Sequence, residues 1–166
     1  MRNHLPRRGA LAAAGLAALL GTAGVGAFSV PPPADGIGVA DGRLRPVPTD
    51  RRNAVSSFAD TEYHRIAPLD AAPDPRAAFE RLARVVRAWP DATVVAERPG
   101  YLHAEFRTPL MRFVDDVEFL LDEPAAVIHV RSASRLGRSD FGANRKRVEA
   151  IRARYQSSPP SDGESK

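Results

Sequence analysis

Apolar and polar residues alternate along four consecutive segments, and this pattern constrains the fold more than any other feature of the chain. The segments are residues 92–97, 101–108, 112–122 and 126–134. A period of two is that of a β-strand with one face in a core. Pro99-Gly100 forms a turn between the first two segments, and Glu123-Pro124 lies between the last two. We therefore predict four sequential strands.

Two helices accompany the strands. Asp74 and Pro75 are a typical helix start, because the carboxylate accepts from free amides and proline suits the first helical position. Apolar residues then recur at helical spacing until Pro90: Phe79, Leu82, Val86 and Trp89. A second helix is predicted over residues 142–156, with Ser139 or Asp140 as its cap.

An edge strand over residues 63–69 completes the order β-α-β-β-β-β-α. This order indicates the α+β class: an antiparallel sheet of four to five strands with two helices packed on one face. The predicted core face carries Leu102, Ala104, Phe106, Phe113, Val117, Phe119, Leu121, Ala126, Ile128 and Val130. The opposite side, here called the polar face, carries Tyr101, His103, Glu105, Arg107, Asp116, Glu118, His129 and Arg131. We expect the polar face to be solvated.

The chain ends are predicted to lie outside the folded domain. Residues 1–27 combine three arginines with an apolar stretch, which is typical of an export signal. The alternative is an uncleaved membrane anchor over residues 9–30. Both place the rest of the chain outside the cytoplasm, in the periplasm or an equivalent space. We expect a Pro/Gly-rich tether over 28–50, a single domain over 51–156 and a disordered tail over 157–166.

Charge and cysteine content exclude several functions. Residues 1–27 hold three of the 24 basic residues and none of the 20 acidic ones, so their removal leaves a net charge of +1. That is too little for a nucleic-acid binder. The chain has no cysteine, which excludes disulfides, thiol catalysis and thiolate metal sites.

Five side chains on the polar face are candidate metal ligands: His103, Glu105, Asp116, Glu118 and His129. Imidazoles with carboxylates suit zinc or manganese. The alternative is that the carboxylates pair across strands with the arginines of the same face.

A second candidate site follows the last strand. We call residues 131–147 the basic corner, and its candidate anion-binding residues are Arg131, Ser134, Arg135, Arg138, Asn144 and Arg145. Arginine forks, hydroxyls and the amides of a helix N-terminus favour a phosphate, a carboxylate or an anionic headgroup. The alternative is internal pairing with Asp115, Asp116 and Glu118 on the neighbouring strand.

Ser56 and Ser57 are considered as nucleophiles. Either serine would need a histidine base, which His64, His103 or His129 would have to supply. The glycine-flanked serine elbow of many hydrolases is absent from the sequence, so a turn or a β-bridge is the favoured interpretation.

Several motifs resemble the domain-of-unknown-function family 1499. They are NAVSS at 53–57, RFVDDVEF at 112–119, IHVRSASR at 128–135, and the spacing of Asp140, Gly142, Asn144, Arg145, Arg147 and Glu149. The resemblance implies an exported or membrane-attached protein and implies no activity or cofactor. Members often carry cysteine where this chain has Ala54, so any chemistry of that cysteine is not shared.

These observations predict a non-catalytic envelope domain without a cofactor. Its expected partner is an envelope protein, an anionic small molecule or a lipid headgroup bound at the basic corner. One alternative is a metal-dependent enzyme using the polar face. The other is a carrier of apolar ligands.

Overall fold

The computed structural model describes residue 31, residues 36–108 and residues 112–159. The predicted signal or anchor over 1–27, and most of the predicted tail, lie outside the described residues. Within those residues, neither helix has the length and apolar character needed to cross a membrane.

The described part of the chain contains eight strands and two helices. Their bounds are β1 Val39–Ala40, β2 Arg43–Leu44, β3 Ala54–Ser56, β4 Leu69–Asp70, α1 Pro75–Arg87, β5 Ala92–Arg98, β6 Tyr101–Arg107, β7 Val114–Asp122, β8 Val127–Ser134 and α2 Ala143–Ser157. Strands β5 to β8 and both helices confirm the predicted elements to within a few residues.

The main sheet is antiparallel and has the order β3-β8-β7-β6-β5, with β4 also paired to β8. The α+β class is confirmed, with six strands in this sheet instead of four to five. The edge strand predicted over 63–69 is wrong: only Leu69 of that range is in a strand, as the first of the two residues of β4. Two short strands, β3 and β4, share β8 at successive positions, and neither is long enough to show a period of two.

The core lies between the sheet and both helices. Leu102, Val117, Phe119, Ile128 and Val130 are fully buried on the sheet's inner face. They form one cluster with apolar residues of the two helices: Phe79, Leu82, Val86, Val148, Ile151 and Tyr155. This confirms the predicted core face with two exceptions. Phe113 precedes β7 and is 44% exposed, and Ala126 lies half-buried in the turn before β8, outside this cluster. Asp74 caps α1 as predicted, accepting from the amide of Ala77 at 3.0 Å.

The polar face is not solvated, and that expectation is wrong. His103, Asp116, Glu118 and Arg131 are each at most 4% exposed. Residues 36–50, which were predicted as part of a tether, fold over this face. They include the β1–β2 hairpin, and the amide of Gly38 donates to Oε1 of Glu118 at 2.6 Å.

Two isolated apolar residues explain why the covering segment folds. Leu44 is 2% exposed and Val47 is 7% exposed, and Val47 packs with Ala54 and Ala133. Because these residues are separated by arginine and proline, the segment has no apolar period. Its order comes from contacts with the sheet, which a local pattern does not reveal.

Candidate functional site

Glu118 and Arg131 form a buried ion pair at the centre of the polar face. They are directly opposite each other in the β7–β8 register, and Nη1 of Arg131 donates to Oε2 of Glu118 at 3.0 Å. The other carboxylate oxygen accepts from the amide of Gly38 and, at 2.8 Å, from the hydroxyl of Tyr101. Burial, followed by the charge of Glu118, raises the pKa of Tyr101. Tyr101 therefore stays a hydrogen-bond donor.

Arg135 joins two carboxylates that the sheet places opposite each other. Glu105 and Asp116 are paired in the β6–β7 register, an arrangement that is unfavourable for like charges. The guanidinium donates to both oxygens of Asp116 at 2.7 and 2.8 Å, and to Glu105 at 2.6 Å. Hydrogen bonding to Asp116 raises the pKa of Arg135, although burial opposes it. Arg135 thus bridges a repulsive pair of carboxylates, and Arg107 supplies a second positive charge to Glu105 at 2.9 Å.

His103 completes the contacts of Asp116, with Nε2 lying 2.8 Å from Oδ1. Burial alone would raise the pKa of Asp116. The hydrogen bonds from Arg135 and His103 outweigh burial, so the pKa is lowered. Asp116 is therefore an ionised acceptor whose two oxygens are already bound.

The N-terminus of α2 is also satisfied from within the chain. The N-cap residue is Gly142, so the prediction of Ser139 or Asp140 as the cap is wrong, although Asp140, two residues earlier, accepts from the amides of Gly142 and Asn144, each at 2.9 Å. The Asn144 side chain donates to the backbone of Asn53 and to the hydroxyl of Ser134, each at 2.9 Å. Asn144 and Ser134 therefore tie α2 to the sheet. The helix amides are bound to a carboxylate of the chain itself.

The structure does not bring the five metal candidates together. His103 and Asp116 are in contact, Glu105 is joined to them through Arg135, and Glu118 belongs to the separate pair with Arg131. Within the described ranges, no three histidine or acidic groups are close enough to hold a metal ion. The arrangement is the cross-strand pairing that was weighed as the alternative.

His129 lies in a different cluster, with one of the two candidate serines. Nδ1 of His129 is 3.0 Å from Oγ of Ser57, and Nε2 is 3.7 Å from Asp122. Burial lowers the pKa of His129 in spite of Asp122, so the ring is neutral near pH 7. The hydroxyl of Ser57 also accepts from the amide of Val130 at 3.0 Å. These contacts hold the loop that follows β3 against β8.

Ser56, the other candidate serine, is also engaged with the backbone. Its hydroxyl accepts from the amide of Phe58 at 3.1 Å, and the residue is 1% exposed. Ser56 therefore stabilises a turn, as the favoured interpretation predicts.

Two of the six anion candidates, Arg138 and Arg145, are engaged with backbone carbonyls at the surface. Arg145 donates to the carbonyls of Tyr63 and Arg65 at 2.7 and 2.8 Å, and Arg138 contacts the carbonyl of Asp50 at 3.4 Å. Arg131 and Arg135 pair with Glu118, Asp116 and Glu105, as the internal alternative proposed.

A small cavity nevertheless lies where the basic corner meets the folded N-terminal segment. It has a volume of about 60 Å³ and is lined by Ile37, Pro48, Arg51, Asn53, Asp116, Arg131, Ala133, Ser134 and Arg135. Nε of Arg131 is buried and has no hydrogen-bond partner among the residues that the structure describes. Three of the six anion candidates therefore line one space, together with Arg51 and Asn53. The sequence did not single out these two as ligands, because the segment that closes the cavity was not predicted to fold.

The comparison with known protein families agrees with the resemblance found in the sequence motifs. A family model described as "Protein of unknown function (DUF1499)" matches residues 43–154, a range that begins at Arg43 in β2. No curated protein and no solved structure matches the chain. The match covers most of the chain. It includes the pair of Glu118 with Arg131 and the cluster of Arg135 with Glu105 and Asp116. The chain therefore belongs to the DUF1499 family of proteins of unknown function.

Proposed function

We propose that this is a non-catalytic, exported binding domain that holds an oxyanion against Arg131 in the cavity beneath the N-terminal segment. The observation that carries the proposal is the buried Nε of Arg131, which has no hydrogen-bond partner within residues 36–108 and 112–159. Buried polar groups are nearly always hydrogen-bonded, and an unmet donor costs about 1–3 kcal/mol. An acceptor in the cavity would remove that cost.

The lining favours an anion over a cation. Three arginines surround the space, and the acid among the lining residues, Asp116, is already bound through both oxygens. Arg51 is the most accessible of the three, with 46% of its side chain exposed. Guanidinium groups recognise carboxylates and phosphates through parallel N–H donors. The polar group that lacks a partner at this site is therefore a hydrogen-bond donor.

The volume limits what enters the cavity. About 60 Å³ is room for roughly two waters at about 30 Å³ each. A single small anion, or the carboxylate or phosphate end of a larger molecule, is of suitable size. The ligand can therefore be a free anion, or an end group that belongs to an envelope protein or a lipid headgroup. Export through residues 1–27 would expose the site to envelope partners.

Calorimetry on the full chain tests the proposal. Phosphate, sulfate, acetate and chloride would be titrated at constant ionic strength. We expect an oxyanion to bind, with affinity reduced at least fivefold by Arg51→Gln. Removal of one charge-assisted hydrogen bond has an effect of this size or larger. Lys146→Gln removes the same charge at an exposed position of α2 and should leave binding unchanged.

A filling variant separates anion binding from a water-filled cavity. Ala133→Val adds two methyl groups to the cavity wall without altering any ion pair, and Thr93→Val places the same residue on the exposed side of β5. We expect Ala133→Val to abolish oxyanion binding and Thr93→Val to preserve it. If no anion binds the unaltered chain, the cavity holds water alone and the proposal is wrong. Equal weakening by Lys146→Gln would show a non-specific charge effect.

A further inference from the structure

A groove lies between the C-terminal halves of the two helices, on the exposed surface of the helical layer. Its volume is about 440 Å³, which is within the usual range for small-molecule sites. The lining residues are Arg81, Arg84, Val85 and Ala88 at the end of α1, Arg154 in α2, and Ser158 and Pro159 directly after α2. Both helices cover the core face of the sheet, so the groove is remote from the polar face and from the cavity at Arg131.

The three arginines of the groove have no counterion within residues 36–108 and 112–159. In these ranges their side chains form no ion pair and donate no hydrogen bond, and no acidic residue lines the groove. Two other arginines of α1 do have acidic partners, since Arg76 pairs with Glu123 and Arg87 pairs with Glu97. The unpaired arginines of α1 therefore include those that line the space beside α2.

Aromatic rings hold two of the three arginines in place. The guanidinium carbon of Arg81 lies 4.4 Å from the centre of the Tyr155 ring, and that of Arg154 lies 5.3 Å from the centre of the Trp89 ring. Both distances are typical of cation–π contacts. A guanidinium held by its face keeps the N–H groups at its edge available to an acceptor. Because these donors are already restricted in position, less entropy is lost when a ligand binds.

The charge of the groove indicates a ligand with two negative charges. The three guanidinium groups together carry a charge of +3. The C-cap residues of both helices, Ala88 and Ser158, also line the groove, and each helix C-terminus contributes about −0.5. A charge of roughly +2 remains, which a fully ionised phosphate group would balance. A carboxylate or a sulfate ester would leave about one positive charge unbalanced.

We infer that this groove binds a dianionic phosphate group through Arg81, Arg84 and Arg154. The planar donors of arginine match phosphate oxygens in bidentate pairs. Since the groove is of small-molecule size, the phosphate group can belong to a larger molecule. A soluble phosphate monoester, a lipid headgroup and free phosphate share this chemistry, and the experiment distinguishes these sources.

Trp89 provides a local signal for the test. It is the sole tryptophan of the chain and lies beneath Arg154, so binding in the groove should change its fluorescence. The full chain would be titrated at pH 8 with phenyl phosphate, a dianion there, and with phenyl sulfate, which has nearly the same shape and one charge less. We expect phenyl phosphate to bind at least about tenfold more tightly. Equal affinities, or no saturable binding by fluorescence and calorimetry, would overturn the inference.

Inorganic phosphate and lipid vesicles identify the source of the phosphate group. Inorganic phosphate that binds as tightly as phenyl phosphate would support the inference with the free anion as ligand. Binding of phosphatidylcholine vesicles that contain phosphatidate, but not of those that contain phosphatidylglycerol, would support it with a lipid headgroup. Binding of phenyl phosphate alone would support it with a soluble monoester.

Arg84→Gln is the principal variant, because Arg84 is exposed and its loss removes no ion pair of the described part of the chain. We expect it to weaken phenyl phosphate at least about tenfold, the loss typical of a hydrogen bond to a charged group. Arg81→Gln should have a similar effect. Lys146→Gln removes the same charge at an exposed position of α2 outside the groove and should leave the affinity unchanged. Unchanged affinity in both arginine variants, or equal weakening by Lys146→Gln, would overturn the inference.

The acidic residues that follow Pro159 provide a further control, because Asp162 and Glu164 are close to the groove in the sequence. Neutralising both, in Asp162→Asn with Glu164→Gln, should change the affinity for phenyl phosphate by less than about threefold. A gain above about tenfold would mean that the chain's own carboxylates occupy the groove, and the phosphate assignment would be wrong.

The groove and the cavity can fail independently, because they lie on opposite sides of the sheet. Arg51→Gln and Ala133→Val alter the cavity and should leave the response of Trp89 to phenyl phosphate unchanged. Arg84→Gln should leave unchanged the oxyanion binding that depends on Arg51. If Arg51→Gln weakens the response of Trp89, the phosphate is bound at the cavity and the groove assignment is wrong.

Discussion

Glu118→Gln tests whether the buried ionic network holds the N-terminal segment on the sheet. The glutamine has nearly the same shape as the glutamate, so packing is preserved. Its amide oxygen can keep the bonds from Gly38 and Tyr101, which share Oε1 in the native protein. Its amide nitrogen then faces Nη1 of Arg131, where the native donor and acceptor are 3.0 Å apart. Two donors meet, and the charge of Arg131 loses its partner.

The magnitude follows from the burial of the pair. The side chains of Arg131 and Glu118 are 4% and 0% exposed. Breaking such a pair by removing one partner costs about 3–5 kcal/mol, because the remaining charge stays buried without compensation. We expect Glu118→Gln to lower the free energy of unfolding by this amount. Replacing both residues, as in Glu118→Gln with Arg131→Met, should recover a substantial part of the loss.

Urea unfolding followed by tryptophan fluorescence measures the effect. Trp89 is the sole tryptophan of the chain and packs against the core beside Phe106. Glu149→Gln is the matched control, since Glu149 pairs with Arg152 at the surface and is 51% exposed. The control should change the free energy of unfolding by less than about 1 kcal/mol.

Limited proteolysis reports on the covering segment separately. Cleavage within residues 36–50 should be faster in Glu118→Gln, because Gly38 then donates to a neutral amide oxygen, which is a weaker acceptor than the carboxylate. A loss below about 1 kcal/mol, with unchanged cleavage, would refute the reasoning. It would mean that water reaches Glu118 and that other contacts hold the segment.

Three further predictions concern titratable groups and the serine cluster. Since the folded pKa of Asp116 is lowered, its contribution to stability is present above its unfolded pKa and is lost as pH falls toward the folded value. In urea titrations below about pH 4, Asp116→Asn should remove that part of the pH dependence. The lowered pKa of His129 means that the unfolded chain takes up a proton first, so stability falls as pH drops below about 6.5. His129→Gln should flatten that region of the profile, and an unchanged slope would contradict the assignment. Ser57 is held by His129 and Val130, so a fluorophosphonate probe should leave it unlabelled in the native chain by mass spectrometry.

The sequence was sufficient for the elements whose periodicity is long. Strands β5 to β8, both helices and the Asp74 cap are local patterns, and each was predicted. Strands β3 and β4 have three and two residues, so they carry no periodic signal. They form because each pairs with β8, and this pairing joins segments that are far apart in the sequence.

Some features of the candidate site could likewise be predicted from the sequence, and others could not. The identities of its charged residues came from alternation, and the pairing of Arg131 and Arg135 with acids was one of two open interpretations. Burial of the polar face was missed, because it depends on residues 36–50. The cavity at Arg131 and the position of Asp122 beside His129 require the three-dimensional arrangement of several segments.

The placement of Arg135 against Glu105 and Asp116 has a consequence for how the strands find their alignment. A one-residue slip of β7 against its neighbours would turn Asp116 and Glu118 toward the helices, and Val117 and Phe119 toward the hairpin. The slipped state would bury these two carboxylates without their partners, whereas in the native state an arginine binds each of them. The chain has no disulfide to fix which residues meet. Charge complementarity instead penalises every other alignment, so the network selects one folded arrangement even if it adds little to net stability.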